Sequence, residues 1–167
     1  MTESFPALEH DHAHCVDDAI ERAHKAMADR GLRMTPLRLR VLNEIAGSHC
    51  AVGAYDLLDK LAKKGRRLAP ISVYRAIDAL LDAGVVHRLE SRNAFFACHA
   101  GHDQRRRLLF LACDQCGRVA EVEGEEVFSE IEDLASNASF SLKRSIVEAS
   151  GLCASCVRGG PRVQASS

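Results

Sequence analysis

Apolar residues recur at three- and four-residue intervals through most of the first eighty positions, after which the period shortens to two. Ile20, Ala23, His24 and Met27 keep helical spacing. They predict a helix capped by Asp17 that runs to about Arg30, with Gly31 as its stop. Thr35-Pro36 opens a second helix, Thr as N-cap and Pro at the first helical position; Leu39, Val41, Leu42 and Ile45 form its buried side and Gly47 closes it. A third helix runs from Ala54 to about Lys64, with Leu57, Leu58 and Leu61 inward and Gly65 at its end. A fourth starts at Pro70 over ISVYRAIDALLDAG, with Val73, Ile77, Leu80 and Leu81 on one face and Gly84 as stop. Two short strands follow, Val85–Glu90 and Ala94–Cys98, joined by the polar turn Ser91-Arg92-Asn93.

Helices followed directly by a small hairpin describe a winged helix-turn-helix, in which the last helix before the hairpin enters the major groove. Ser72, Tyr74 and Arg75 lie off the apolar face of that helix. Arg75 suits a guanine edge or a phosphate; Ser72 and Tyr74 suit backbone oxygens or bases. The bland alternative is a helical bundle with an exposed arginine, and the hairpin's position favours DNA.

Beyond residue 106, Arg107–Ala112 and Arg118–Glu123 read as strands flanking the knuckle Cys113-Asp-Gln-Cys116-Gly117. Glu125 to about Ser136 reads as an amphipathic helix with Val127, Phe128, Ile131 and Leu134, and Phe140–Ala149 as a third strand before GLCASC. A unit of ~50 residues is too small to be comfortable alone and calls for a metal staple or a partner subunit. The expected class is α+β: a flexible, His-containing tail over 1–16, a winged-helix DNA-binding domain over 17–98, a hinge over 99–106, a small α/β dimerisation domain over 107–158 stapled by zinc, and a disordered tail over 159–167.

Charge sharpens the first half of this picture. The formal net charge of −1 hides ten basic residues against four acidic between Arg30 and Leu80. Such a local positive field suits nucleic acid, although charge alone fits a solvated helical surface equally well. No apolar run reaches the ~18 residues needed to span a bilayer, and the start of the chain lacks a signal-peptide pattern, so a cytoplasmic location is expected. Thiols stay reduced there, and seven cysteines, an odd number, then point to metal or redox chemistry rather than a disulfide framework.

Two metal constellations stand out. Cys113-x-x-Cys116 and Cys153-x-x-Cys156 each let two thiolates turn onto one ion, and two such pairs complete a closed tetrahedral zinc site. A redox dithiol is the competitor, and matched pairs disfavour it. A looser set holds His87, Cys98, Glu121 and a histidine from His99 or His102; mixed ligands drawn from separate elements make a weaker, tunable site. His10, His12, His14 and Cys15 cluster near the N-terminus, where a tail without a role is favoured over a metal site. Catalytic zinc keeps an open position beside a general base, and neither HExxH nor a deaminase motif occurs, so no enzyme is expected.

With these residues in place, the chain resembles the ferric uptake regulator family, most closely its zinc uptake branch. The matching stretches are RGLRMTPLRLRVL, AYDLLDKL, ISVYRAIDALLDAGVVHRLESRNAFFACH, CDQCGRVAE and IVEASGLCASC. The resemblance implies a homodimeric, metal-dependent repressor with an N-terminal winged helix and a C-terminal dimerisation domain. It implies that Cys113, Cys116, Cys153 and Cys156 hold structural zinc, one ion per subunit. It further implies that His87, Cys98 and Glu121 hold one regulatory zinc, and that Tyr55 and Arg75 contact DNA. The family's histidines just before the first CxxC are missing, Gln104-Arg105-Arg106-Arg107-Leu108 standing there instead. The fourth regulatory ligand then falls to His102, with His99 or water as alternatives. The function expected is zinc-responsive repression of zinc-uptake genes from a palindromic operator; an iron-responsive regulator on the same scaffold, or a zinc store or carrier, are the rivals.

Overall fold

The computed structural model describes Phe5 and residues 12–48, 50–64, 68–98 and 107–159, the side chains of 12–15 excepted. The expected hinge over 99–106, most of the N-terminal tail and the tail after 159 lie outside the described residues. The chain divides into two compact units, one within 6–101 and one within 102–167 that also takes in Phe5.

The first unit runs α1 (His12–Asp29), α2 (Pro36–Ala46), β1 (Val52–Gly53), α3 (Ala54–Lys63), α4 (Pro70–Asp82), β2 (Val86–Leu89), a 3-10 turn (Glu90–Arg92) and β3 (Ala94–Ala97). Thr35 caps α2 as its sequence predicts: its hydroxyl accepts the Arg38 N–H at 3.3 Å, with Pro36 at the first helical position. Helix α2 is the centre, packed by α1, α3 and α4. Its Val41, Leu42 and Ile45 meet Ala23 and Met27 of α1, Leu57 and Leu61 of α3, and Val73, Ile77 and Leu80 of α4 in one buried cluster. Two details differ from the periodicity reading. Helix α1 begins at His12 rather than Asp17, because Val16 extends the apolar stripe onto the core; and His24 is exposed, Ala19 taking the buried place expected of it.

The hairpin pairs Val86 with Ala97 and Leu89 with Ala94, and Asn93 makes the turn in the left-handed region at φ 46°. The two-residue strand β1 adds to the other edge of β3, giving the order β1-β3-β2. A strand that short has no readable period, so sequence alone missed it.

The second unit comprises β4 (Leu108–Cys113), β5 (Val119–Glu123), α5 (Glu125–Asn137), β6 (Glu148–Gly151) and α6 (Ala154–Val157). Strand β4 is central, antiparallel to β5 and parallel to β6. Gly124 sits at the β5–α5 junction, where a Cβ would come within 2.7 Å of a Leu109 methyl and that side chain would have to shift. Arg107 anchors α5 by a two-point bond to Glu132 at 2.7 and 2.9 Å. The third strand is shorter than Phe140–Ala149: only Glu148–Gly151 pairs, and Phe140 and Ile146 remain exposed. Of the apolar stripe on α5, Phe128 is buried, whereas Leu134 is 60% exposed and Phe140 beyond it 64%. No helix among the described residues is long and apolar enough to cross a membrane.

Candidate metal centres and nucleic-acid face

The parallel register of β4 and β6 assembles the cysteine cluster. Cys113 ends β4 opposite Gly151 of β6, and the Asp114 N–H donates to the Gly151 carbonyl at 2.8 Å, so the chain leaving β6 arrives beside the knuckle. Cys116 sits in the knuckle turn, which closes through Gly117 at φ 71°. Cys153 immediately precedes α6, and the single turn of that helix carries Cys156 back to the same point. All four are buried thiols, not disulfides, and their sulfurs lie within 4.8 Å of one another.

The donor set fits tetrahedral zinc. Zn–S bonds of ~2.3 Å place tetrahedral sulfurs about 3.8 Å apart; Cys116 Sγ and Cys153 Sγ stand 3.7 Å apart. A disulfide would need ~2.05 Å. Four thiolates leave no open coordination position, so such a site is structural rather than catalytic.

The electrostatics call for a cation. Burial pushes the Cys113 thiol up, but backbone N–H donors of Cys116, Cys153 and Gln115 outweigh it and bring the thiol down to about 6. Cys153 is lowered in the same way against its own burial, whereas burial and the neighbouring thiols push Cys156 up to about 12. Four thiols this close ionise together only around a positive charge.

Part of that charge is already present. Arg118 is the one buried charged side chain among the described residues, 4% exposed. Its Nε donates to Cys116 Sγ at 3.2 Å and its Nη2 to Cys153 Sγ at 3.1 Å. Desolvation lowers its pKa, but the hydrogen bond to Cys116 and the charges of Cys116 and Cys153 more than compensate, leaving it above the usual guanidinium value. Sequence reasoning passed over Arg118, because one arginine after a knuckle glycine looks like an ordinary strand-edge charge.

His87 and Cys98 belong to the first unit. The β2–β3 register sets His87 opposite Phe96, ring centroids 5.5 Å apart, and the Cys98 N–H donates to Val85 at 3.0 Å. Side chains alternate along strands, so 85 and 87 on one strand share a face with 96 and 98 on the other. A ring nitrogen of His87 and Cys98 Sγ accordingly lie within 4.8 Å. The Arg22 guanidinium donates to the Cys98 carbonyl at 3.4 Å, tying the end of the hairpin to α1. Glu121 is half-buried on β5 of the second unit. His99 and His102 lie outside the described residues, as do His10 and the side chains of His12, His14 and Cys15.

On α4 the buried Val73, Ala76, Ile77 and Leu80 turn Tyr74 and Arg75 outward, and Ser72 is half-buried. Tyr55, second residue of α3, is 79% exposed, and Ile71, at 60%, is an exposed apolar side chain of α4 that periodicity did not single out. Exposed tyrosine and arginine along a helix suit phosphates and base edges.

Three comparisons bear on this arrangement. The family model described as the ferric uptake regulator family matches residues 29–150. The chain is 39% identical to the zinc uptake regulation protein of Escherichia coli (strain K12) over 140 residues, 84% of this chain and 82% of that one. Among solved structures, a zinc uptake regulator complexed with zinc and DNA aligns with a TM-score of 0.79 at 38% identity, covering 86% of this chain and 95% of that one. The crystal structure of holo XcZur aligns at 0.76 and 39% identity, covering 86% and 99%.

Proposed function

The chain belongs to the ferric uptake regulator family, and on that premise we propose that it is a zinc-responsive DNA-binding repressor of zinc-uptake genes, acting as a homodimer in the cytoplasm. It is a regulator, not an enzyme. The observation that carries this reading is the likeness, over most of the chain, to a zinc uptake regulator solved with zinc and DNA. The winged unit supplies the DNA-binding half, Tyr55, Ser72, Tyr74 and Arg75 meeting operator DNA. The second unit supplies the dimer, and the apolar residues left open on it, Leu134, Phe140 and Ile146, are the surface a second copy would cover.

Two zinc ions per subunit have separate roles in this reading. Cys113, Cys116, Cys153 and Cys156 hold the structural ion. His87, Cys98, Glu121 and His102 hold the regulatory one, a choice supported by the proximity of His87 and Cys98 within the hairpin and by the chemistry of the donor set. When bound, zinc supplies a four-coordinate cross-link. His87 and Cys98 contribute the wing's end of it and Glu121 the end on β5, so ligation biases the population toward the operator-binding form. A coupling of ~1–3 kcal/mol would change DNA affinity roughly 5- to 150-fold. Two recognition helices in a two-fold dimer then read a palindrome.

The test is His87→Ala and Cys98→Ser in the full-length protein, followed by metal content and operator binding. Both variants should stay dimeric and keep one tightly bound zinc while losing the zinc-dependent gain in affinity. Variants whose DNA binding still responds to zinc as in wild type would remove His87 and Cys98 from the sensing site.

A further inference from the structure

A buried guanidinium is costly to desolvate unless negative charge meets it, and here cysteine sulfurs do so. Arg118 lies directly after the knuckle; its backbone carbonyl accepts the Cys113 N–H at 2.9 Å, which holds it opposite the end of β4. From there the planar fork reaches one cysteine of each pair, Cys116 at 3.2 Å from Nε and Cys153 at 3.1 Å from Nη2. The Cys153 N–H donates to Cys113 Sγ at 3.3 Å, so three of the four sulfurs accept an N–H bond. Lysine could not reproduce the arrangement, because an ammonium is a point charge without the rigid two-donor fork.

We propose that Arg118 is a positioning and charge-compensating residue of the tetrathiolate site, holding the two CxxC pairs in register and damping the reactivity of Cys116 and Cys153. This rests on the reading of the four cysteines as a zinc site. Four thiolates around a divalent ion leave two negative charges in a buried place; the guanidinium cancels one of them. Its N–H groups also occupy sulfur lone pairs that a competing chelator's proton or an incoming electrophile would use. The expected result is a structural ion that exchanges slowly, so the fold is held while the regulatory site follows the metal supply. Outer ligand partners of this kind change metal affinity by about 10- to 100-fold when removed.

The test compares wild type with Arg118→Met and Arg118→Lys as full-length zinc-loaded proteins. Metal content is measured first: wild type without one tightly held zinc per chain would sink the zinc reading itself and the proposal with it. Given that zinc, transfer to a chromogenic chelator should run about 10- to 100-fold faster in Arg118→Met, with partial recovery in Arg118→Lys. In cobalt(II)-substituted protein the sulfur-to-cobalt charge-transfer band should move to longer wavelength in Arg118→Met, because sulfurs relieved of their N–H bonds hold their electrons less tightly. Unchanged release and an unchanged band would overturn the proposal. If Arg118→Met does not fold, wild type decides the matter. In protein loaded with isotopically labelled cadmium, the Arg118 Nε proton should show through-bond coupling to the metal across the N–H···S bond. Absence of that coupling overturns the proposal as well.

Discussion

Replacing Cys113 with serine should cost the second unit its fold while sparing the first. Cys113 is 1% exposed, its sulfur accepts the Cys153 N–H at 3.3 Å, and it is one of only four sulfurs around the proposed ion. A hydroxyl is a poor zinc ligand and too short to reach the sulfur's place. Structural zinc contributes roughly 10–16 kcal/mol to small domains that fold around it, and a whole domain's net stability is about 5–15 kcal/mol. Losing even half of the metal's contribution is therefore comparable with everything that holds the unit. The winged unit has its own buried cluster around α2 and keeps it. Hydrogen exchange should then find α5 and β4–β6 unprotected while α2 and α4 remain protected, with zinc per chain lowered by one and light scattering reporting a monomer. A Cys113→Ser protein that binds no tight zinc yet stays a dimer with wild-type protection of β4 would refute the reasoning.

Three further outcomes are expected. Arg75→Ala should weaken operator binding by ~1–3 kcal/mol in an anisotropy titration without moving the melting curve, because the side chain is exposed on α4. Leu134→Asp should weaken the dimer about tenfold or more by analytical ultracentrifugation while the monomer stays folded, since Leu134 is open in the single chain. Thr35→Ala removes the hydroxyl that accepts the Arg38 N–H and should destabilise the winged unit by about 1 kcal/mol, a drop of ~4–8 °C in its melting temperature.

Where local chemistry dictates structure, the chain was readable. Thr35-Pro36 can start a helix and do little else as well; Gly31 and Gly84 stop helices with positive φ; the polar turn around Asn93 between two apolar runs makes a hairpin. What escaped depends on partners distant in sequence. Strand β1 exists only because β3 offers it an edge. Phe140–Ala149 read as one strand, but the register with β4 covers Glu148–Gly151, with the Val147 carbonyl accepting the Phe110 N–H at 3.0 Å just before it. The N-terminal turns of α1 were hidden by a polar, histidine-rich composition, although Val16 docks on the core. The cysteine spacing announced a metal cluster, yet not its cation: Arg118 meets Cys153 across 35 residues, a contact that depends on β6 lying parallel to β4.

In the proposed mechanism zinc governs DNA binding through a site separate from the cysteine cluster. The direct measurement is binding to operator DNA from a zinc-importer promoter, under reducing conditions, titrated with zinc, iron(II) and manganese from protein already holding one tight zinc per chain. Binding should be weak at the outset and gain roughly 5- to 150-fold on adding zinc alone. Binding that ignores all three metals, or that answers to iron(II) and not zinc, would contradict it.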